Sequence, residues 1–311
     1  MSDYDVVVVG GGLAALSAAW TIARLDRKTL ILTGGVPGGE LLNIEKIDGV
    51  PGFPDGVPGY DLGPIAQEQA DGAGVAFITE MADAIEADGD LWRVTGPGGA
   101  FTARGLIVAT GAGIARLGVP GEERLHGKGV SHCATCDGPL LRNRIVVVAG
   151  GGDSAMQEAM TLAQHVSKVI MVERSDALTG QRPYREEVLA NPEIEVRYGE
   201  EVVEVLGDDA VTAIKVKDVA SGAESEIEAA GLFAFVGLTP NNAIAGDLLP
   251  LDAGGRIRVD AGMRTPLPGI CAAGNVRQSS PHRAAGAMGD GAAAAVSIDA
   301  YLRNGAWGAT A

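Results

Sequence analysis

The chain has 311 residues, 46% hydrophobic and 21% charged, which is enough for one large or two ordinary domains and too apolar for a disordered segment. Sparse aromatics (4%) beside 46 glycines favour an α/β protein with tight turns over an all-β one. A formal charge of −16 offers no basic track for phosphates and excludes a nucleic-acid partner.

The N-terminal "MSDYDVVVVG" enters a strand at once, with neither a basic region nor a signal-like apolar segment. No apolar run approaches the ~18 residues that span a bilayer. The expected location is therefore the cytoplasm, where a stable structural disulfide is uncommon.

Val6–Val9 leads into G-x-G-x-x-A, formed by Gly10, Gly12 and Ala15, and then a helical pattern. In this arrangement the first glycine makes the strand-to-helix turn and the second leaves room for a pyrophosphate. The small third residue lets helix and strand pack closely. Amides at the helix N-terminus then face the diphosphate. Further along, Asp90–Ala112 reads as a strand, a Gly-Pro-Gly turn and an apolar strand ending at Thr110-Gly111.

The pattern then repeats. "VVVAGGGDSAMQEA" from Val146 carries the same fingerprint on Gly150, Gly152 and Ala155, with Asp153 and Ser154 opening the helix. Gly150 follows Gly10 by 140 residues (150 − 10). The strand "KVIMV" runs into Glu173-Arg174-Ser175, and Val202–Asn241 reads as three alternating strands followed by an apolar one. A β-meander thus interrupts the parallel sheet in both halves. A last apolar strand, "GICAAGN" from Gly269, precedes an Ala-rich helix expected to start near Gly289. The second unit is complete without that helix, so it returns to finish the first. The expected fold is α/β: two Rossmann-like dinucleotide-binding domains with β-meander insertions, one inserted into the other. The expected boundaries are 1–114 with 246–311, and 115–245.

Between the two fingerprints lies "SHCATCDG", residues 131–138, with two of the three cysteines. Cys133 and Cys136 can close a redox disulfide, supply half of a zinc site or simply fill space. A structural zinc site needs four Cys or His ligands. Cys271 is the only spare cysteine and lies in an apolar strand, while His126, His165 and His282 show no paired spacing. Two dinucleotide folds flanking a dithiol suggest a relay in which a nicotinamide nucleotide and a flavin dinucleotide exchange electrons.

On "GGGLAAL", "TGGVPGGEL", "VPGFPDGVPG", "LIVATGA", "CATCDG", "GGGDSAMQEA", "FVGLTPN" and "GICAAGN", the chain resembles the low-molecular-weight thioredoxin reductases over nearly its whole length. The resemblance implies a homodimer of FAD domains, each split by a nicotinamide domain that begins with the dithiol. It implies that Cys136 faces the flavin, that Cys133 attacks the partner's disulfide, and that Asp137 protonates the leaving thiolate. A carboxylate at that position is alternatively a helix cap. FAD-binding residues implied by the matching segments are Gly10, Gly12, Ala15, Gly39, Glu40, Leu41, Thr110, Gly111, Asn275, Arg283 and Ala284. The nicotinamide nucleotide falls to Gly150, Gly152, Asp153, Ser154, Ala155, Glu173 and Arg174.

The chain departs from that family's pattern at several places. Asn275 stands where the family usually has Asp, and His282-Arg283-Ala284 replaces an Arg-Gln-Ala triplet. Gly49 occupies the place of a flavin-contacting Asn, and Pro139, Leu140 and Leu141 follow the dithiol where an aromatic pair is common. Members that use NADPH carry a His-Arg-Arg cluster where this chain has Glu173-Arg174-Ser175. The acid implies a preference for NADH.

The expected function is transfer of electrons from NADH (or NADPH) through FAD and the Cys133/Cys136 dithiol to thioredoxin or a thioredoxin-like protein. The alternatives are a dithiol oxidase, a ferredoxin-fed disulfide reductase, and a non-enzymatic flavin redox sensor.

Overall fold

A computed structural model describes residues 2–308. The chain divides into two compact units, one taking in the chain up to Gly113 and from Thr239 onward, the other running from Ile114 to Leu238.

The first unit begins with β1 (Tyr4–Val9), α1 (Leu13–Ala23) and β2 (Thr29–Leu32). It continues through α2 (Gly59–Gly72), β3 (Ala76–Ile78), β4 (Ala84–Asp88), β5 (Leu91–Gly96) and β6 (Gly99–Val108). These strands lie in the order β3-β2-β1-β6-β5-β4. The order explains the hydrophobic pattern of β1. It pairs in parallel with β2 on one edge and β6 on the other, and Val6–Val9 are buried on both of its faces. Val6 and Val8 pack with α1 on one side, while Val7 and Val9 pack with Leu30, Leu32 and Ile85 on the other. Such a strand reads as an unbroken apolar run.

The chain leaves this unit through β7 (Ala112–Ile114) and forms β8 (Val130–Ser131), the short helix α3 (Ala134–Asp137) and β9 (Ile145–Ala149). There follow α4 (Asp153–Ala163), β10 (Lys168–Glu173), α5 (Arg182–Ala190) and β11 (Ile194–Tyr198). The meander β12 (Glu200–Leu206), β13 (Ala213–Asp218) and β14 (Glu224–Glu228) precedes β15 (Gly231–Ala234). The parallel sheet has the order β11-β10-β9-β15-β8, and the meander forms a separate antiparallel sheet. Val146 and Val148 face α4, while Val147 and Ala149 face the core under the meander, repeating the alternation of β1.

The return passes through β16 (Leu238–Pro240) to β17 (Ile270–Ala272) and α6 (Ala284–Asn304). Strand β17 pairs in parallel with Leu106–Val108, the end of β6 that β5 leaves free, and α6 packs on α1. The C-terminal segment therefore completes the first unit.

Three sequence expectations need correction. The second boundary falls at Leu238/Thr239 instead of 245/246, because Ile244 and Ala245 are buried in the first unit's core and Asn242 Nδ2 donates to Gly255 O at 2.6 Å. Helix α6 starts at Ala284 and not near Gly289. Within it Gly291 serves close packing, since a Cβ there would stand 2.2 Å from Ala14 O of α1. Strand β4, unread in the sequence, adds a third strand to the first meander, pairing antiparallel with β5. Only Ile85 of its five residues is buried, so its apolar signal is weak.

Candidate functional site

The two fingerprint turns are built alike. Gly10 has φ 123° and Gly150 has φ 118°, values that L side chains rarely adopt. A Cβ on Gly10 would lie 2.2 Å from Ala109 O, and one on Gly150 would lie 2.3 Å from Phe235 O. Each first glycine thus lets β1 or β9 turn past the end of the neighbouring strand. The third positions, Ala15 and Ala155, are fully buried where helix meets sheet.

The second glycines differ in kind. Gly12 and Gly152 are the N-caps of α1 and α4, with nearly identical dihedrals (φ −80°, ψ 179° and φ −85°, ψ −178°). No distant part of the chain comes within 4 Å of where a Cβ would stand on either. Each turn therefore presents open space at the N-terminus of an 11-residue helix, which a diphosphate suits in charge and shape. The residues fit a dinucleotide in each unit.

In the first unit, Gly38 N donates to Gly11 O at 2.8 Å. The following Gly39-Glu40-Leu41 forms a 3₁₀ turn, and a Cβ on Gly39 would lie 3.2 Å from Gly12 Cα. Thr110-Gly111 is clasped by Asn241, whose backbone O accepts from Thr110 Oγ1 (2.6 Å) and whose Nδ2 donates to Thr110 O (3.0 Å). Asn275 Oδ1 accepts from Ser280 Oγ at 2.8 Å. Arg283, the N-cap of α6, and Ala284, its first residue, follow. Partial burial, with Arg256, Arg283 and Arg277 around it, holds the His282 imidazole below its usual pKa. Sequence reasoning missed the buried pair beneath this segment, Arg277 with Asp290, at 2.6 Å.

In the second unit, Glu173 ends β10 and is 8% exposed, so it is not a free surface acid. Its Oε1 accepts from Ser175 N (2.9 Å) and Ser175 Oγ (2.7 Å), while Oε2 lies against Gly151. Asp153, in the first turn of α4, accepts from Gln181 N (2.6 Å) and Gln181 Nε2 (2.9 Å). Ser154 and Arg174 are exposed.

The dithiol lies in the same unit, before β9. Cys133 and Cys136 are joined as a disulfide with Cα atoms 5.3 Å apart. Cys133 is the N-cap of α3, and its Sγ accepts from Cys136 N at 3.2 Å. Glu158 of α4 accepts from Ala134 N at 2.7 Å and ties the dithiol turn to the helix of the second fingerprint. Asp137 makes no side-chain cap, so the capping alternative does not describe it. Cys136 is exposed and Cys133 less so.

The His126 and His132 rings lie 5.9 Å apart, tilted by 39°, where residue 126 bridges to Val130. Cys271 is fully buried in β17, and burial raises its thiol far above the usual range. Among the described residues no group of three or more His, Cys, Asp or Glu could hold a metal. No helix among them is long and apolar enough to cross a membrane.

Two turns open to diphosphates and a disulfide in the second unit define a nucleotide-dependent dithiol oxidoreductase by chemistry, and the comparisons agree. Residues 4–291 match the pyridine nucleotide-disulphide oxidoreductase family. The chain is 37% identical to the thioredoxin reductase of Treponema pallidum over 301 residues, 97% of this chain and 98% of that protein. The crystal structure of Lactococcus lactis thioredoxin reductase superposes with a TM-score of 0.94 at 36% identity, covering 97% of this chain and 99% of that one. The T. acidophilum thioredoxin reductase structure gives a TM-score of 0.91 at 32% identity, covering 96% and 99%. The chain belongs to the pyridine nucleotide-disulphide oxidoreductases and, within them, to the low-molecular-weight thioredoxin reductases, which use FAD and a nicotinamide nucleotide.

Proposed function

We propose that the chain takes electrons from NADH in preference to NADPH and delivers them through the Cys133/Cys136 dithiol to thioredoxin or a thioredoxin-like protein. The observation that carries the nucleotide preference is the buried Glu173 carboxylate against Gly151. At the end of the second strand, an acid accepts hydrogen bonds from the adenosine ribose hydroxyls and repels a 2′-phosphate.

The first unit holds FAD, with Gly10, Gly12 and Ala15 at the diphosphate and Gly39, Glu40, Leu41, Thr110 and Gly111 beside it. Asn275, Arg283 and Ala284 serve the flavin. The second unit holds the nicotinamide nucleotide on Gly150, Gly152, Asp153, Ser154 and Ala155, with Glu173 and Arg174 at the adenosine end. FAD, when bound, supplies a two-electron carrier between the nucleotide and the dithiol.

The chain's own residues then carry out disulfide exchange. Two electrons originating from the nicotinamide nucleotide, with two protons, would convert the Cys133–Cys136 disulfide to the dithiol. Cys133 Sγ, as thiolate, attacks one sulfur of the partner's disulfide; that S–S bond breaks and a mixed disulfide forms. Asp137 gives a proton to the departing thiolate. Cys136 Sγ attacks Cys133 Sγ, releasing the partner's second thiol and restoring the Cys133–Cys136 bond. The position of Cys133 as N-cap of α3, with Cys136 N directed at its sulfur, supports stabilisation of a thiolate there. The chain acts as a homodimer in the cytoplasm, as its relatives' class implies.

The deciding experiment adds NADH or NADPH anaerobically to flavin-loaded protein and follows the visible flavin absorbance, then adds oxidised thioredoxin. Bleaching by NADH and recovery with thioredoxin are expected. Slow bleaching by both nucleotides would instead favour a ferredoxin donor or a dithiol oxidase.

A further inference from the structure

A buried charge pair of the first unit lies under the segment assigned to the flavin. Asp290, in the second turn of α6, and Arg277, after the "AAGN" turn, have side chains 8% and 12% exposed. Arg277 Nε donates to Asp290 Oδ2 at 2.7 Å and its Nη2 donates to Oδ1 at 2.6 Å, a two-pronged fork. Asp290 Oδ2 also accepts from Gly274 N at 3.1 Å, and Arg277 Nη1 donates to Gln278 O and Ser279 O, each at 2.9 Å. One ion pair thus ties helix α6, the Gly274-Asn275 turn and the start of the 278–283 segment together.

That segment needs holding. Ser279 has φ 56° and His282 φ 53°, left-handed values unfavourable for residues other than glycine. Ser280 bridges it back to the turn, donating to Asn275 Oδ1 while accepting from His282 N at 3.3 Å. Packing alone would be served as well by apolar residues, because desolvating two charges offsets much of what their attraction contributes. A fork that fixes three chain segments at once supplies orientation, which apolar packing does not.

We propose that Arg277 and Asp290 are positioning residues for the flavin: their ion pair sets the conformation in which Asn275, Arg283 and Ala284 meet it. The proposal rests on the assignment of FAD to the first unit.

The test uses FAD-loaded protein and three readouts: FAD released on dilution, the flavin's visible spectrum, and its midpoint potential against reference dyes. The variant Arg277→Met/Asp290→Asn leaves no buried charge unpaired and keeps an acceptor for Gly274 N. It is expected to retain the parent's far-UV circular dichroism at saturating FAD. Its Kd for FAD should rise at least ~10-fold, with a shifted visible band. Parental affinity, spectrum and potential in that folded variant would overturn the proposal. Should the double variant not fold, Arg277→Lys decides, since it retains the charge and loses the fork. A rise of ~3-fold or more in Kd supports positioning, and a parental Kd overturns it. Failure of the unmodified protein to take up FAD would overturn the flavin assignment and this proposal with it, and is seen before any variant is made.

Discussion

The carboxylate of Glu173 lies so close to Gly151 that a Cβ added there would stand 2.6 Å from Oε2. The end of β10 and the second fingerprint turn therefore form one surface, with Oε1 held by Ser175 and Oε2 turned toward the turn. A 2′-phosphate brought to this surface meets like charge. NADH is expected to exceed NADPH at least ~10-fold in kcat/KM, about 1.4 kcal/mol. Glu173→Ala combined with Ser175→Arg should narrow or reverse that ratio without changing flavin content. Steady-state rates with both nucleotides decide it, and better use of NADPH by the parent protein would refute the assignment of Glu173.

The fingerprint glycines should separate by role. Gly10→Ala places a methyl 2.2 Å from Ala109 O at φ 123°, and should destabilise the first unit by about 2 kcal/mol or more. Gly12→Ala meets no distant atom within 4 Å, so it should leave folding intact while weakening FAD retention through lost space for the diphosphate. The same contrast is expected of Gly150→Ala and Gly152→Ala, the latter raising KM for the nucleotide with FAD content unchanged. Thermal melts and bound-FAD measurements on the four variants distinguish the roles. Equal destabilisation by Gly10→Ala and Gly12→Ala would contradict them.

Much of this architecture is legible before any coordinates. Val6–Val9 and Val146–Ala149 announce strands covered on both faces, and the unpaired C-terminal strand and helix announce a return to the first unit. What escaped was set by tertiary contact. The helix expected to start near Gly289 begins at Ala284, and position 291 within it is glycine because Ala14 O of α1 leaves no room for a side chain. Ile244 and Ala245 carry no boundary signal of their own and join the first unit through its core. Arg277 and Asp290 are 13 residues apart, a spacing with no local meaning until the 278–283 segment folds back over α6. Asp290 in an Ala-rich helix was the one available hint, an acid placed where the helix must be buried.

The three thiols should divide two and one. Burial, with Asp260 nearby, pushes the Cys271 thiol up, so it stays protonated and inaccessible in the folded protein. After reduction, a thiol-reactive reagent at about pH 8 should modify Cys133 and Cys136 quickly and Cys271 only on unfolding. Peptide mass spectrometry reads the sites directly. Rapid modification of Cys271 in folded protein would show that β17 opens on the timescale of the reaction.

The two sulfurs of the dithiol should be separable by the light they make the protein absorb. Cys133 is the N-cap of α3 and half-buried, while Cys136 is the more exposed, so their roles are not interchangeable by environment. If Cys136 is the sulfur that meets the flavin, Cys133→Ser leaves its thiolate beside the oxidised ring. A broad long-wavelength absorbance should then appear in that variant and fade on acidification, as the thiolate gains a proton. Cys136→Ser should lack the band. Both variants should lose disulfide reduction, because a lone thiol can neither receive the electron pair as a disulfide nor resolve a mixed disulfide. Cys133→Ser leaves no attacking sulfur for the partner, whereas Cys136→Ser should trap reduced Cys133 in a stable adduct with a thioredoxin disulfide, detectable by intact mass. A band in Cys136→Ser and an adduct with Cys133→Ser would reverse the assignment.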